Sequence, residues 1–138
     1  MYKAILVDKD TWWTGVNDYE TDMFESLWPL PQGVAYNAYV VLGATATAAI
    51  DTVKGPYLDE YINKLTQALG GRELNYLVVN HMEPDHAGLI SQLKTRWPGL
   101  KFIGNAKTVP MLKGYHGIDE NIIAMKDGDT LDLGGHVL

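Results

Sequence analysis

The sequence predicts an α/β domain in which strands come first and strand–helix alternation follows. Three observations carry this reading. Residues 1–51 hold short runs rich in aromatic and β-branched residues. Residues 56–115 hold segments whose apolar positions follow helical spacing. Between two of those segments lies Tyr76–Val79, a continuous apolar run of the kind a buried strand shows.

In chain order, Tyr2–Val7 and Thr11–Val16 read as strands around an Asp8-Lys9-Asp10 turn. Asn17–Gly33 loses periodicity and reads as a loop, unusually loaded with Phe24, Trp28, Pro29 and Pro31. Tyr36–Leu42 and Thr47–Asp51 read as a hairpin turning at Gly43. Leu58, Tyr61, Ile62, Leu65 and Leu69 predict a helix over Tyr57–Leu69, with Pro56 suited to its first turn and Gly70-Gly71 to its end. Leu89, Ile90, Leu93 and Trp97 predict a second helix over Asp85–Trp97, stopped by Pro98-Gly99. Lys101–Gly104 is the next strand and Thr108–Tyr115 a short helix. Ile122–Met125 and Thr130–Leu133 flank Asp127-Gly128 as a hairpin. Gly134-Gly135 would then turn the chain into a return strand at His136-Val137-Leu138, so Leu138 reads as a truncation point.

Composition narrows the chemistry. The 138 residues suffice for one domain with its own core, and 46% hydrophobic against 20% charged is ordinary globular usage. A formal charge of -6 disfavours a nucleic-acid partner. The absence of cysteine excludes thiolate zinc sites and cysteine-held iron–sulfur clusters, so a metal must sit on His, Asp or Glu. No signal-peptide pattern opens the chain and no apolar stretch approaches a bilayer's thickness, so the expected setting is cytoplasmic, without a membrane.

The chemistry concentrates in His81-Met82-Glu83-Pro84-Asp85-His86. In an extended loop, positions i, i+2 and i+4 project to one side, at about 3.3 Å of rise per residue. His81, Glu83 and Asp85 therefore share a side. Pro84 disfavours helical backbone at Glu83 and keeps the carboxylate on an extended segment. Asp85 then meets the second helix, where it would also serve as N-cap. The span suits two ions better than one, with His81 and Glu83 on the first and Asp85 and His86 on the second. Paired ions about 3.5–4 Å apart clamp two oxygens of a reacting molecule.

This run resembles the His-x-His-x-Asp-His signature of the metallo-β-lactamase fold, with Glu83 in place of the second His, which is the flavodiiron (A-type flavoprotein) pattern. The resemblance extends to Trp13–Asp18, Phe24–Pro31, Tyr36–Tyr39, Ala49–Lys54 and Val79–Gly88. It implies the N-terminal half of a metallo-β-lactamase-like αββα sandwich, with residues 1–138 as the N-terminal portion of a diiron domain that lacks its flavodoxin-like partner domain. It further implies two non-haem irons on His81, Glu83, Asp85 and His86, with FMN in the missing domain. The implied reaction is reduction of dioxygen to water, nitric oxide to nitrous oxide, or both. Electrons would come from a donor such as rubredoxin or a reductase, and the protein would be a homodimer. Glu83 makes the site harder and more anionic than a second His would, which suits iron.

Several residues carry weaker expectations. Asp51 ends an apolar strand and is a candidate to support the ligand loop from behind. Glu25 is a candidate for an outer role near the metals. His116 reads as a loop histidine and His136 as a strand residue, neither a ligand. Phe24 and Trp28 either overhang the site or pack on their own core. The inner sheet face, including Tyr39, Val41, Ile50, Leu77 and Val79, is expected to lack its covering layer. A binuclear zinc hydrolase, or a non-catalytic fragment, is the alternative to a redox enzyme, and Glu83 tells against the hydrolase.

Overall fold

A computed structural model describes residues 1–138. The N-terminal strand formers make β1 (Ile5–Asp8) and β2 (Thr11–Trp13), an antiparallel hairpin about Lys9 and Asp10. Strand β2 pairs with β7 (Tyr39–Leu42), and β7 with β8 (Thr47–Ile50), both antiparallel. From β8 onward the pairing becomes parallel, through β9 (Tyr76–Val78), β10 (Lys101–Gly104) and β11 (Ile122–Ala124). The result is one seven-stranded mixed sheet in the order β1-β2-β7-β8-β9-β10-β11. Parallel neighbours need long crossovers, and these supply the helices. They are α1 (Leu58–Leu69), then α2 (Pro84–Ala87) with α3 (Ile90–Arg96), then α4 (Thr108–His116).

One face of the sheet carries the core. Register places Val40, Ala49, Leu77 and Phe102 in one row. They are buried with Tyr61, Leu65 and Leu69 of α1, Leu89, Ile90 and Leu93 at α3, and Leu112 of α4. The opposite row runs through Ile5, Trp13, Tyr39, Ile50, Val78, Ile103 and Ile123. Ile5 and Ile123 there are exposed, while Tyr39, Ile50 and Val78 are half-buried. Helices over one face and apolar residues across the other make this the N-terminal half of an αββα sandwich.

Several expectations need correction. Leu77 and Val79 lie in the helix-covered core, because β9 is central and its alternation turns Leu77 toward α1 and α3. Val41 packs with Ala48 beneath Leu133 of the C-terminal segment. A close approach allows this: any side chain on Gly43 would collide with the Leu133 backbone. The strand expected over Thr11–Val16 breaks at Thr14-Gly15. Beyond the break, β3 (Val16–Asp18) leaves the main sheet to pair with β6 (Val34–Tyr36). The Asn17–Gly33 loop thus begins in a strand, and it also holds a small hairpin, β4 (Met23–Phe24) with β5 (Trp28–Pro29), turning through left-handed Glu25 and Ser26. The second helix is two pieces, interrupted at Gly88-Leu89. No hairpin forms across Asp127-Gly128, since β11 pairs with β10 instead. Leu131 and Leu138 exchange backbone hydrogen bonds of 2.9 Å, so the turn at Gly134-Gly135 does form its expected hairpin.

The two faces should respond differently to truncation. Leu77→Ala should cost about 2–5 kcal/mol, and Ile5→Ala less than about 1 kcal/mol. Urea unfolding of the two variants measures both, and equal losses would contradict the one-sided core.

Candidate metal centre

The site forms where parallel strands β8, β9 and β10 end at their carboxyl edge, the usual place for ligands in open α/β sheets. Two turns shape it. The first follows β8. Asp51 adopts φ 57°, a left-handed conformation that Asp tolerates better than most residues. From this position its Oδ1 accepts the backbone N–H groups of Asn80 at 2.7 Å and His81 at 3.2 Å. Burial raises the Asp51 carboxyl above its ordinary value, against the lowering effect of those two N–H groups. Thr52, fully buried, donates from both its backbone N–H (2.8 Å) and its hydroxyl (2.9 Å) to the His86 carbonyl.

The second turn is the ligand run. His81 and Met82 lie outside helix, and Glu83 is extended at φ -73° and ψ 155°, as Pro84 requires. Glu83 is itself the residue preceding α2, with Pro84 first in the helix, so Asp85 sits in the first turn rather than at the cap. Gly88 ends this short helix without a side chain because one would strike backbone atoms of Val53, Pro84 and Gly55 within 3 Å. The close packing of this turn on residues 53–55 is what interrupts the expected long helix.

Three of the four predicted ligand residues converge tightly. Donor atoms of His81, Glu83 and Asp85 lie within 4.8 Å of one another. His81 Nε2 is 3.6 Å from Glu83 Oε2 and 3.6 Å from Asp85 Oδ1. The other Asp85 oxygen, Oδ2, is 3.8 Å from His86 Nε2. The Asp85 carboxylate thus faces both histidines. Asp85 Oδ1 and His86 Nδ1 are buried without any hydrogen-bond partner. Such groups cost free energy unless something satisfies them. Two donors each about 2.1 Å from a common ion stand about 3–4.2 Å apart, a range that includes all three separations. The nitrogen and carboxylate donors, with no sulfur, also suit iron or zinc. The residues present fit a metal.

Other candidates fall as follows. Asp51 stands behind the loop through the two N–H groups. Glu25 is exposed at the apex of the β4–β5 hairpin, where Phe24 stacks on Trp28 at 6.5 Å. His136 binds Asp10 Oδ2 at 2.9 Å, tying the C-terminal hairpin to the β1–β2 turn. His116 is half-buried and lines a cleft of about 840 Å³ beside His81 and Glu83, together with Met82, Met111 and Tyr115. Its Nδ1 lies 3.3 Å from Ser91 Oγ, and burial lowers its basicity. No local sequence signal points to this, since α4 reaches the cleft only by tertiary packing.

Sequence reasoning also missed the group beside His86. Asp18, 1% exposed, accepts hydrogen bonds from the Thr21 N–H (2.9 Å), the Thr21 hydroxyl (2.6 Å) and the Tyr36 hydroxyl (2.8 Å). Burial alone would raise its carboxyl, yet the donors facing it, Thr21, Tyr57 and Tyr36, hold it well below the ordinary 3.8. Burial and the bond to Asp18 push the Tyr36 hydroxyl up to about 12. A depressed carboxyl stabilises the fold fully above its unfolded value and loses that contribution as pH falls. Stability should therefore drop between about pH 4 and pH 2, and Asp18→Asn should flatten that limb while costing about 1–3 kcal/mol at neutral pH. Denaturant midpoints across pH check this, and an unchanged acid limb in the variant would contradict it.

Comparison with known proteins supplies the family. No family model matches the chain. An anaerobic nitric oxide reductase flavorubredoxin of Pectobacterium atrosepticum is 33% identical over 133 residues, which is 95% of this chain and 26% of that protein. The chain thus spans about a quarter of the length of this curated relative. A flavo di-iron protein of Thermotoga maritima, solved as a variant, superposes with TM-score 0.84 at 32% identity, over 97% of this chain and 34% of that one. Rubredoxin oxygen:oxidoreductase of Desulfovibrio gigas gives 0.89 at 27% identity, over 97% and 33%. A subclass B3 metallo-β-lactamase from a soil metagenome gives 0.72 at 17% identity, over 98% and 50%, and so shares the fold. By sequence and by fold, the chain belongs with the flavodiiron proteins and corresponds to the N-terminal part of their metallo-β-lactamase-like domain.

Proposed function

We propose that residues 1–138 supply the principal ligand loop of a binuclear non-haem iron centre in an oxidoreductase. The substrates are dioxygen, reduced to water, nitric oxide, reduced to nitrous oxide, or both. The observation that carries this reading is the Asp85 carboxylate, which faces His81 with one oxygen and His86 with the other while its Oδ1 stays buried and unpartnered. His81 and Glu83 would hold one iron, and Asp85 and His86 the other. Iron held there would supply the redox chemistry for a diatomic substrate. The chain's own part is to fix the donors before the metal arrives: Asp51 holds the His81 backbone and Thr52 the His86 carbonyl. The cleft beside His81 and Glu83 has Met82, Pro84 and Met111 among its walls, with Asn80, Asn105 and Lys107 beside them.

Residues 1–138 form, on this reading, the N-terminal portion of the diiron domain. Two further histidines and a bridging Asp would come from sequence outside it, and FMN from a flavodoxin-like domain. The protein would work as a homodimer fed by a rubredoxin or a reductase. No helix here is long and apolar enough to cross a membrane, and a cytoplasmic setting is part of the proposal. Glu83, where the fold's hydrolases carry a second His, disfavours a binuclear zinc hydrolase.

In the intact protein, His81→Ala or Asp85→Ala should abolish bound iron and O₂ or NO consumption while FMN stays bound. Metal analysis, flavin absorbance and gas-electrode assays check this. Full turnover in His86→Ala would count against the ligand assignment.

A further inference from the structure

The buried face of His86 poses a problem that the ligand assignment leaves open. Its backbone is fixed: the N–H donates to the Glu83 carbonyl at 3.0 Å, and the carbonyl accepts from Thr52. Its imidazole is not fixed by any hydrogen bond. Nδ1 is buried without a partner, and Nε2 stands 3.8 Å from Asp85 Oδ2. A metal-ligating histidine usually has its ring held by an acceptor on the second nitrogen. Here ring contacts replace the acceptor. The His86 imidazole meets the His81 ring at 5.5 Å and the Tyr36 ring at 6.2 Å, the latter nearly perpendicular at 84°. Edge-to-face contact is a preferred arrangement for aromatic rings and constrains rotation.

Tyr36 is built to be immobile. It is 3% exposed, its backbone pairs with Val16 in the β3–β6 ladder, and its ring meets Tyr57 at 6.1 Å. Its hydroxyl donates to Asp18 Oδ2 at 2.8 Å, and Asp18 is locked in turn by Thr21 and lies 3.8 Å from the Lys54 ammonium. We infer that Tyr36 is a positioning residue for the proposed metal centre: its ring, anchored through Asp18, sets the rotation at which the His86 imidazole is presented. The inference rests on the metal-centre reading above and extends it to a residue outside the ligand run.

The test is titration of the metal-free intact protein with Co²⁺ alone, followed by its visible d–d bands, which report ligand geometry without turnover. Tyr36→Leu should weaken Co²⁺ binding by about 10–100-fold and shift the bands. Tyr36→Met carries the same expectation if the leucine variant does not fold. Tyr36→Phe keeps the ring contact but loses the bond to Asp18, and should weaken binding and shift the bands less than the leucine variant does. Val16→Ala, a truncation at the fully buried strand partner of Tyr36, should lower the melting temperature and leave the bands alone. Wild-type affinity and bands in the non-aromatic variants would overturn the inference. So would a Val16→Ala spectrum displaced as far as theirs. Failure of the unaltered protein to bind Co²⁺ would instead overturn the metal centre itself, and this inference with it.

Discussion

The site depends on the grip that two residues after β8 take on the chain after β9. Asp51 accepts the Asn80 and His81 N–H groups, and Thr52 donates to the His86 carbonyl. Because β8 and β9 are parallel neighbours, both turns emerge on one edge, and these short bonds suffice to set where the loop lies. The arrangement carries a cost. Left-handed backbone destabilises an ordinary L-residue by about 1–2 kcal/mol, and burial further disfavours charge on Asp51. Strain of this kind persists where surrounding structure over-determines it, commonly at functional sites. Here it keeps His81 at one end of the run and His86 at the other.

Charge distribution follows from the same geometry. Asp51, Glu83 and Asp85 bring three carboxylates to one edge, and His81 Nε2 lies 3.6 Å from the last two. Like-charged groups this close repel unless a cation lies among them. The buried, partnerless oxygen of Asp85 belongs to the same account. A carboxylate oxygen kept from both water and donors is costly in a merely structural loop, and reasonable in one that receives a metal.

Much of this was legible in the sequence, for identifiable reasons. The Leu58–Leu69 helix was readable because its apolar spacing is regular and Gly70, expected at its end, caps it in a left-handed conformation. The extended Glu83 followed from Pro84 alone. Where the reading failed, nonlocal contacts decided. Residues 11–16 look like one strand, but Thr14-Gly15 divides Thr11–Trp13 from Val16 between two sheets, and Gly15 has no room for a side chain against Tyr36 and Trp13. The helix expected over Asp85–Trp97 is cut at Gly88 by backbone 33 residues earlier in sequence, at Gly55. Asp18, Tyr36 and His116 carry no local signal of their place near the site, since each arrives through an element far along the chain.

The central claim is that His81, Glu83, Asp85 and His86 hold iron, and anomalous diffraction from crystals of the intact protein at the iron edge tests it most directly. The account predicts two iron peaks a few Å apart, with donor atoms of those four residues at about 2.0–2.2 Å. Peaks bound elsewhere, or anomalous signal only at the zinc edge, would contradict it.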